Sequence, residues 1–102
     1  MSDKVELIAA AQVNADAGGI AFKSNFGFKT AAKNAAGVYE LNLDDKHDGH
    51  KLVINVTPNN LAENAIQASP ASSGDTRVIN VTNFVSGTGA DTPFFITVYR
   101  VR

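Results

Sequence analysis

An all-β fold, an antiparallel sandwich of about eight strands, is what this chain of 102 residues predicts. Three observations lead there. Apolar residues alternate with polar ones at period 2 through most of the chain, as on a half-buried strand. Turn signals recur every 8–12 residues, the spacing of sandwiches and barrels. The last segment, 94–101, is dense in β-branched and aromatic residues.

From the N-terminus, residues 4–17 admit two readings. Asp3 followed by Glu6 imitates a capping box, and an Ala-rich run ends at Gly18-Gly19, which suits a helix. Val5, Leu7, Ala9, Ala11 and Val13 also alternate, and Gly-Gly can turn a hairpin into 20–28, where Ile20, Phe22, Phe26 and Phe28 share a parity. The strand reading is preferred, because a lone helix fits an all-β chain poorly. Tyr39, Leu41 and Leu43 then alternate with Glu40 and Asn42, and Leu52, Ile54 and Val56 repeat the pattern. With Asp48-Gly49 as the turn, 38–43 and 52–57 read as a β-hairpin. Ile66 and Ala68 form a short strand before the turn 69–75, and 77–84 forms another, with Ile79 and Val81 on one face. Residues 86–92 are a loop by composition, closed by Pro93. Val-Ile-Asn-Val-Thr occurs at 53–57 and again at 78–82. One match is too short for a solenoid and marks two strands in similar sheet environments.

The length suits one domain over 1–102, with enough burial for a single core. Zero cysteines exclude disulfides, Cys–zinc sites and thiol catalysis. Nine Lys+Arg against ten Asp+Glu leave no basic footprint, so neither nucleic acid nor an anionic membrane is expected as a partner. The opening Met1-Ser2-Asp3-Lys4 is unlike a secretory signal peptide, so synthesis in the cytoplasm is expected.

Asp44-Asp45-Lys46-His47-Asp48-Gly49-His50 is the one cluster with ligand chemistry. Asp44, Asp45, His47, Asp48 and His50 could hold zinc, or the carboxylates calcium, but the ligand periodicity of an EF-hand is missing and a plain hairpin loop is preferred. No cofactor is expected. Six serines lie outside any nucleophile elbow, and Glu40 and Asp91 are isolated acids with nothing to link them, so no enzyme is expected. Asn55-Val56-Thr57 and Asn80-Val81-Thr82 match the glycosylation pattern inside predicted strands and are read as chance. Most aromatics are expected in the core, with Phe84 beside the 85–92 loop as the exception. In the last strand Phe94, Ile96 and Val98 occupy one face and Phe95, Tyr99 and Val101 the other. A two-layer sandwich covers only one face, so the second apolar face calls for a neighbouring subunit.

Two stretches carry a resemblance. Ala36-Gly37-Val38-Tyr39-Glu40-Leu41-Asn42-Leu43 is similar to a strand of small jelly-roll heads of the C1q/TNF-like kind. Asp91-Thr92-Pro93-Phe94-Phe95-Ile96-Thr97-Val98 is similar to the closing strand of such heads, which occur on bacterial collagen-like proteins and on bacteriophage fibres and virion surfaces. The resemblance implies a jelly-roll-like homotrimer with the last strand near the threefold axis, and a structural or receptor-binding role without catalysis. The chain is short for a ten-stranded head and has no Gly-X-Y stalk. The expected function is therefore a structural or attachment module on a virion or other particle surface, with Phe95, Tyr99 and Val101 packing across subunits. Its expected partners are a capsid, a fibre or a cell-surface glycan. The alternative is a small lectin acting through loops 44–51 and 85–92.

Overall fold

The computed structural model describes residues 4–59 and 64–102. In chain order the strands are β1 (Val5–Asp16), β2 (Gly19–Phe26), β3 (Phe28–Ala35), β4 (Val38–Asp48), β5 (Leu52–Pro58), β6 (Ala65–Pro70), β7 (Asp75–Val85), β8 (Thr88–Gly89) and β9 (Phe94–Val101). They form two antiparallel sheets, one ordered β2-β1-β9-β5 and the other β3-β4-β7-β6 with the two-residue β8 paired to β7. This is the expected antiparallel sandwich, with nine strands among the described residues where about eight are expected. The connectivity is jelly-roll-like: the first and last strands are neighbours inside one sheet, and the chain repeatedly crosses to the other. Segment 4–17 resolves as strand, turned into β2 at Ala17-Gly18.

The alternating residues meet between the sheets. Ala9, Ala11, Val13 and Ala15 of β1 and Phe94, Ile96 and Val98 of β9 are buried against Tyr39, Leu41 and Leu43 of β4 and Ile79 and Val81 of β7. Two stacked aromatic pairs bridge the layers, Tyr39 on Phe94 at 5.6 Å and Phe22 on Phe28 at 5.8 Å between ring centroids. Each such pair contributes about 0.5–1.5 kcal/mol beyond its buried area. Small alanines on β1 let that strand approach the large residues opposite.

Two expectations need correction. Residues 38–43 and 52–57 are not a hairpin: β4 pairs with β3 and β7, whereas β5 pairs with β9 in the other sheet. The turn between them is a corner. β4 runs on to Asp48, so 44–48 is strand rather than loop, and Gly49–Lys51 make one 3-10 turn. That turn is pinned to the 72–74 turn by Gly49 N–H donating to Gly74 O at 2.9 Å and His50 N–H to Ser73 O at 3.1 Å. Residues 86–92 are a loop, as expected, with a tight hairpin at its start. Val85 pairs with Thr88 across a two-residue turn, Ser86-Gly87, whose positive φ values of 51° and 82° are those of a type I′ hairpin.

Two bulges set which residues face out. In β1, Ile8 is the extra residue between the pairs Leu7↔Tyr99 and Ala9↔Val98. In β2, Lys23 is extra between Ser24↔Gln12 and Phe22↔Val13. Each bulge reverses the alternation beyond it. Gly27 secures the crossing from β2 to β3: its φ is +83°, and a Cβ there would stand 2.1 Å from the Ile8 carbonyl oxygen. Only glycine fits that approach.

Phe94→Ala is expected to lower folding stability by about 3–5 kcal/mol, the usual cost of emptying an aromatic core site. Urea unfolding followed by circular dichroism measures it.

Candidate functional site

The feature that sets this molecule apart from a plain sandwich is the outer face of the β2-β1-β9-β5 sheet. Register pairs place its residues in rows. Val5 lies beside Val101, and Leu7, Tyr99 and Val53 form the next row across β1, β9 and β5. Farther along, Phe26, Ala10, Thr97 and Asn55 form one row, and Ser24, Gln12, Phe95 and Thr57 the next. None of these residues is charged, in a chain that is 19% Asp, Glu, Lys and Arg. Val5, Leu7, Phe26, Val53 and Phe95 are between 40 and 63% exposed, and Phe84 on the other sheet is the remaining large exposed hydrophobe among the described residues. The outer face of the second sheet carries Thr30, Glu40, Asn42, Gln67, Ser69, Asn80 and Thr82 instead.

The sequence placed Phe95, Tyr99 and Val101 on this face, and the structure has all three on the outer side of β9, opposite buried Phe94, Ile96 and Val98. It missed Val5, Leu7 and Phe26, which regular alternation assigns to the same side as core residues. Only the bulges turn them outward, and no residue at Ile8 or Lys23 announces a bulge. Phe28, Tyr39 and Phe94 are in the core and Phe84 is exposed, as expected, and Phe95 lies on the outer face of β9; Phe26 is the exposed aromatic that the core expectation misplaces.

The metal candidates occupy one end of the sandwich without converging. Asp44 and Asp45 are exposed on the extension of β4, His47 and Asp48 are half-buried, and His50 is exposed. Asp48 Oδ1 accepts the His50 N–H at 3.0 Å and so caps the 3-10 turn. Among the described residues no three His, Asp or Glu side chains come together as a metal site. Beside them Glu6 accepts from Arg100 and, at 3.3 Å, from Arg102. The hydrogen bond from Arg100 holds the Glu6 carboxyl below its ordinary range.

Asp91 is far from isolated. Its Oδ2 lies 2.7 Å from Lys33 Nζ, and its Oδ1 accepts the Gly37 N–H at 3.0 Å and the Tyr39 hydroxyl at 2.8 Å. Lys33 Nζ also donates to the Asp16 carbonyl at 2.9 Å. Burial alone would raise the Asp91 carboxyl, but the bonds from Lys33, Gly37 and Tyr39 outweigh it and hold the group below the 3.8 of a free aspartate. Tyr39 is pushed the other way, by burial first and then by its hydrogen bond to Asp91. An acid so fully bonded is a clamp rather than a general base. Nearby, Asn83 is buried with Nδ2 donating to Asn64 Oδ1 at 2.9 Å and to Ala90 O at 2.8 Å, which fixes the approach to β9.

Because the Asp91 carboxyl is more acidic folded than free, its contribution is complete above about pH 5 and is lost as pH falls through the folded value. Asp91→Asn is expected to cost about 2–3 kcal/mol at pH 7, the scale of hydrogen bonds to a charged group. Urea unfolding from pH 7 down to pH 2 should show the gap between variant and parent narrowing. A gap independent of pH would mean that the carboxylate charge is not what stabilises the joint.

No protein-family model matches this chain, and no curated protein or solved structure matches it, so its role has to be read from these surfaces.

Proposed function

We propose that this protein is a non-catalytic structural or attachment module that assembles as a homotrimer through the outer face of the β2-β1-β9-β5 sheet. The uncharged rows of that face, from Val5 and Val101 to Gln12 and Phe95, carry the reading; the charge on its β1 strand comes only at the far end, at Asp16. Side chains such as Leu7, Val53 and Tyr99 gain about 25 cal/mol for each Å² they remove from water, and no charge has to be desolvated with them. An uncharged patch offers nothing to a charged partner and suits a second copy of itself. The contact centres on the row Leu7–Tyr99–Val53 with Val5 and Val101, and Phe95 stands at its margin. The C1q/TNF-like resemblance supports the same arrangement, since it puts the last strand near a threefold axis.

A particle surface, of the phage virion or fibre-head kind, is the setting that fits such a head, with a capsid or fibre as the neighbour and the polar second sheet outward. No catalytic group is proposed, because Asp91 is consumed by its own bonds. Segments 44–51 and 85–92 are a strand end and a loop that begins as a tight hairpin, and this gives the lectin reading little support at those places.

Sedimentation equilibrium at micromolar concentration is expected to give three times the monomer mass. Tyr99→Asp sets an unpaired charge in the contact and should dissociate the assembly while the β circular dichroism persists. A parent protein that sediments as a monomer overturns the reading.

A further inference from the structure

The part of the same face that carries the Phe26 and Phe95 rows is not simply apolar. Over β1, between β2 and β9, the sheet face is hollowed into an open, shallow cleft of ≈ 530 Å³. Phe26 and Phe95 stand on its two sides, diagonally across the intervening β1, about 12 Å apart by two strand spacings and a two-residue offset. Its floor at Ala10 is a methyl group. Gln12, Ser24 and Thr97 supply an amide and two hydroxyls, and among the described residues none of these three side chains makes a hydrogen bond. Asn25, by contrast, is spent on the rim: its amide donates to Phe28 O at 2.8 Å and accepts the Phe28 N–H at 3.1 Å. With Gly27 wedged against Ile8, that bracket fixes the backbone on which Phe26 stands.

We infer that this cleft binds a neutral saccharide. A pyranose offers C–H faces that lie on aromatic rings and a rim of hydroxyls that both donate and accept. The cleft offers the complement: two exposed aromatic rings, and neutral groups that can take either role. An anionic ligand would leave its charge unanswered, since no lining residue is basic. A purely aliphatic ligand would leave Gln12, Ser24 and Thr97 without partners. The inference gives the attachment module its receptor chemistry. It rests on the assembly reading in one respect, that the subunit contact lies at the Tyr99 end and leaves the edge strand β2 accessible.

The test is a printed array of neutral, sialylated and sulfated glycans probed with the full chain, with sedimentation run in parallel. Retention of neutral glycans is expected, falling at least tenfold in Phe26→Ala and in Gln12→Ala while both keep the parent's sedimentation mass. Tyr99→Asp should lose mass and keep the glycans, so a failed trimer and a failed saccharide site give different results. No neutral glycan retained, a preference for charged glycans, or binding unchanged in Phe26→Ala overturns the inference. Dissociation by Phe26→Ala also overturns it, because the cleft would then be covered by another copy.

Discussion

The Asp91 carboxylate is the joint that holds the two sheets in register. It sits where the chain crosses from β8 to β9, and its three donors come from β3, from the β3–β4 turn and from β4. The segment that leads into one sheet's last strand is thereby fixed to the other sheet's first hairpin. Phe94, three residues on, then lands on the Tyr39 ring, and Ile96 and Val98 follow it into the core at period 2. Hydrophobic burial supplies most of the stabilisation, but it is non-directional. The carboxylate supplies the direction, because its bonds tolerate neither a slip in register nor a rotation of β9. Such a slip would move the whole apolar set of that strand to the other face.

The two sheets solve different problems. In the β3-β4-β7-β6 sheet, alternation along 38–43 of β4 and 78–83 of β7 buries one face and wets the other, apart from Val38, Val78 and Phe84, and the register shifts fall in β3 and in the far end of β4. In the β2-β1-β9-β5 sheet, bulges at Ile8 and Lys23 bring apolar residues outward that would otherwise point into the core. The repeated Val-Ile-Asn-Val-Thr shows how context completes a pattern. Ile79 and Val81 on the internal strand β7 are fully buried, while Ile54 and Val56 on the edge strand β5 are only partly so, although both pairs point inward.

Much of the sandwich was legible in the sequence because burial has period 2 and so do apolar residues in strands. The faces of β9, the burial of Tyr39, Leu41, Leu43, Ile79 and Val81, and the strand at 5–16 all follow from that rule. Alternation is silent about pairing, however, so 38–43 and 52–57 could not be told from a hairpin when they belong to opposite sheets. It is also blind to a single extra residue, which is why Val5, Leu7 and Phe26 were placed on the wrong side. The Lys33–Asp91 pair spans 58 positions, and nothing local to either residue hints at the other. Of the candidate surface, the part carried by β9 was therefore readable and the part carried by β1 and β2 was not.

The adjacency of β1 and β9 has a consequence for biosynthesis. A ribosome extends the chain by about 5–20 residues per second, and roughly 80 residues separate the end of β1 from the start of β9. For several seconds the β1–β2 hairpin exists without the strand that completes its sheet. The β3-β4-β7-β6 sheet, whose strands are all made earlier, can form while that hairpin waits with both faces uncovered. Such late, long-range closure belongs to slowly folding topologies. The nascent chain is therefore most open to chaperones, and to premature contact with other nascent copies, in the interval just before Phe94 emerges.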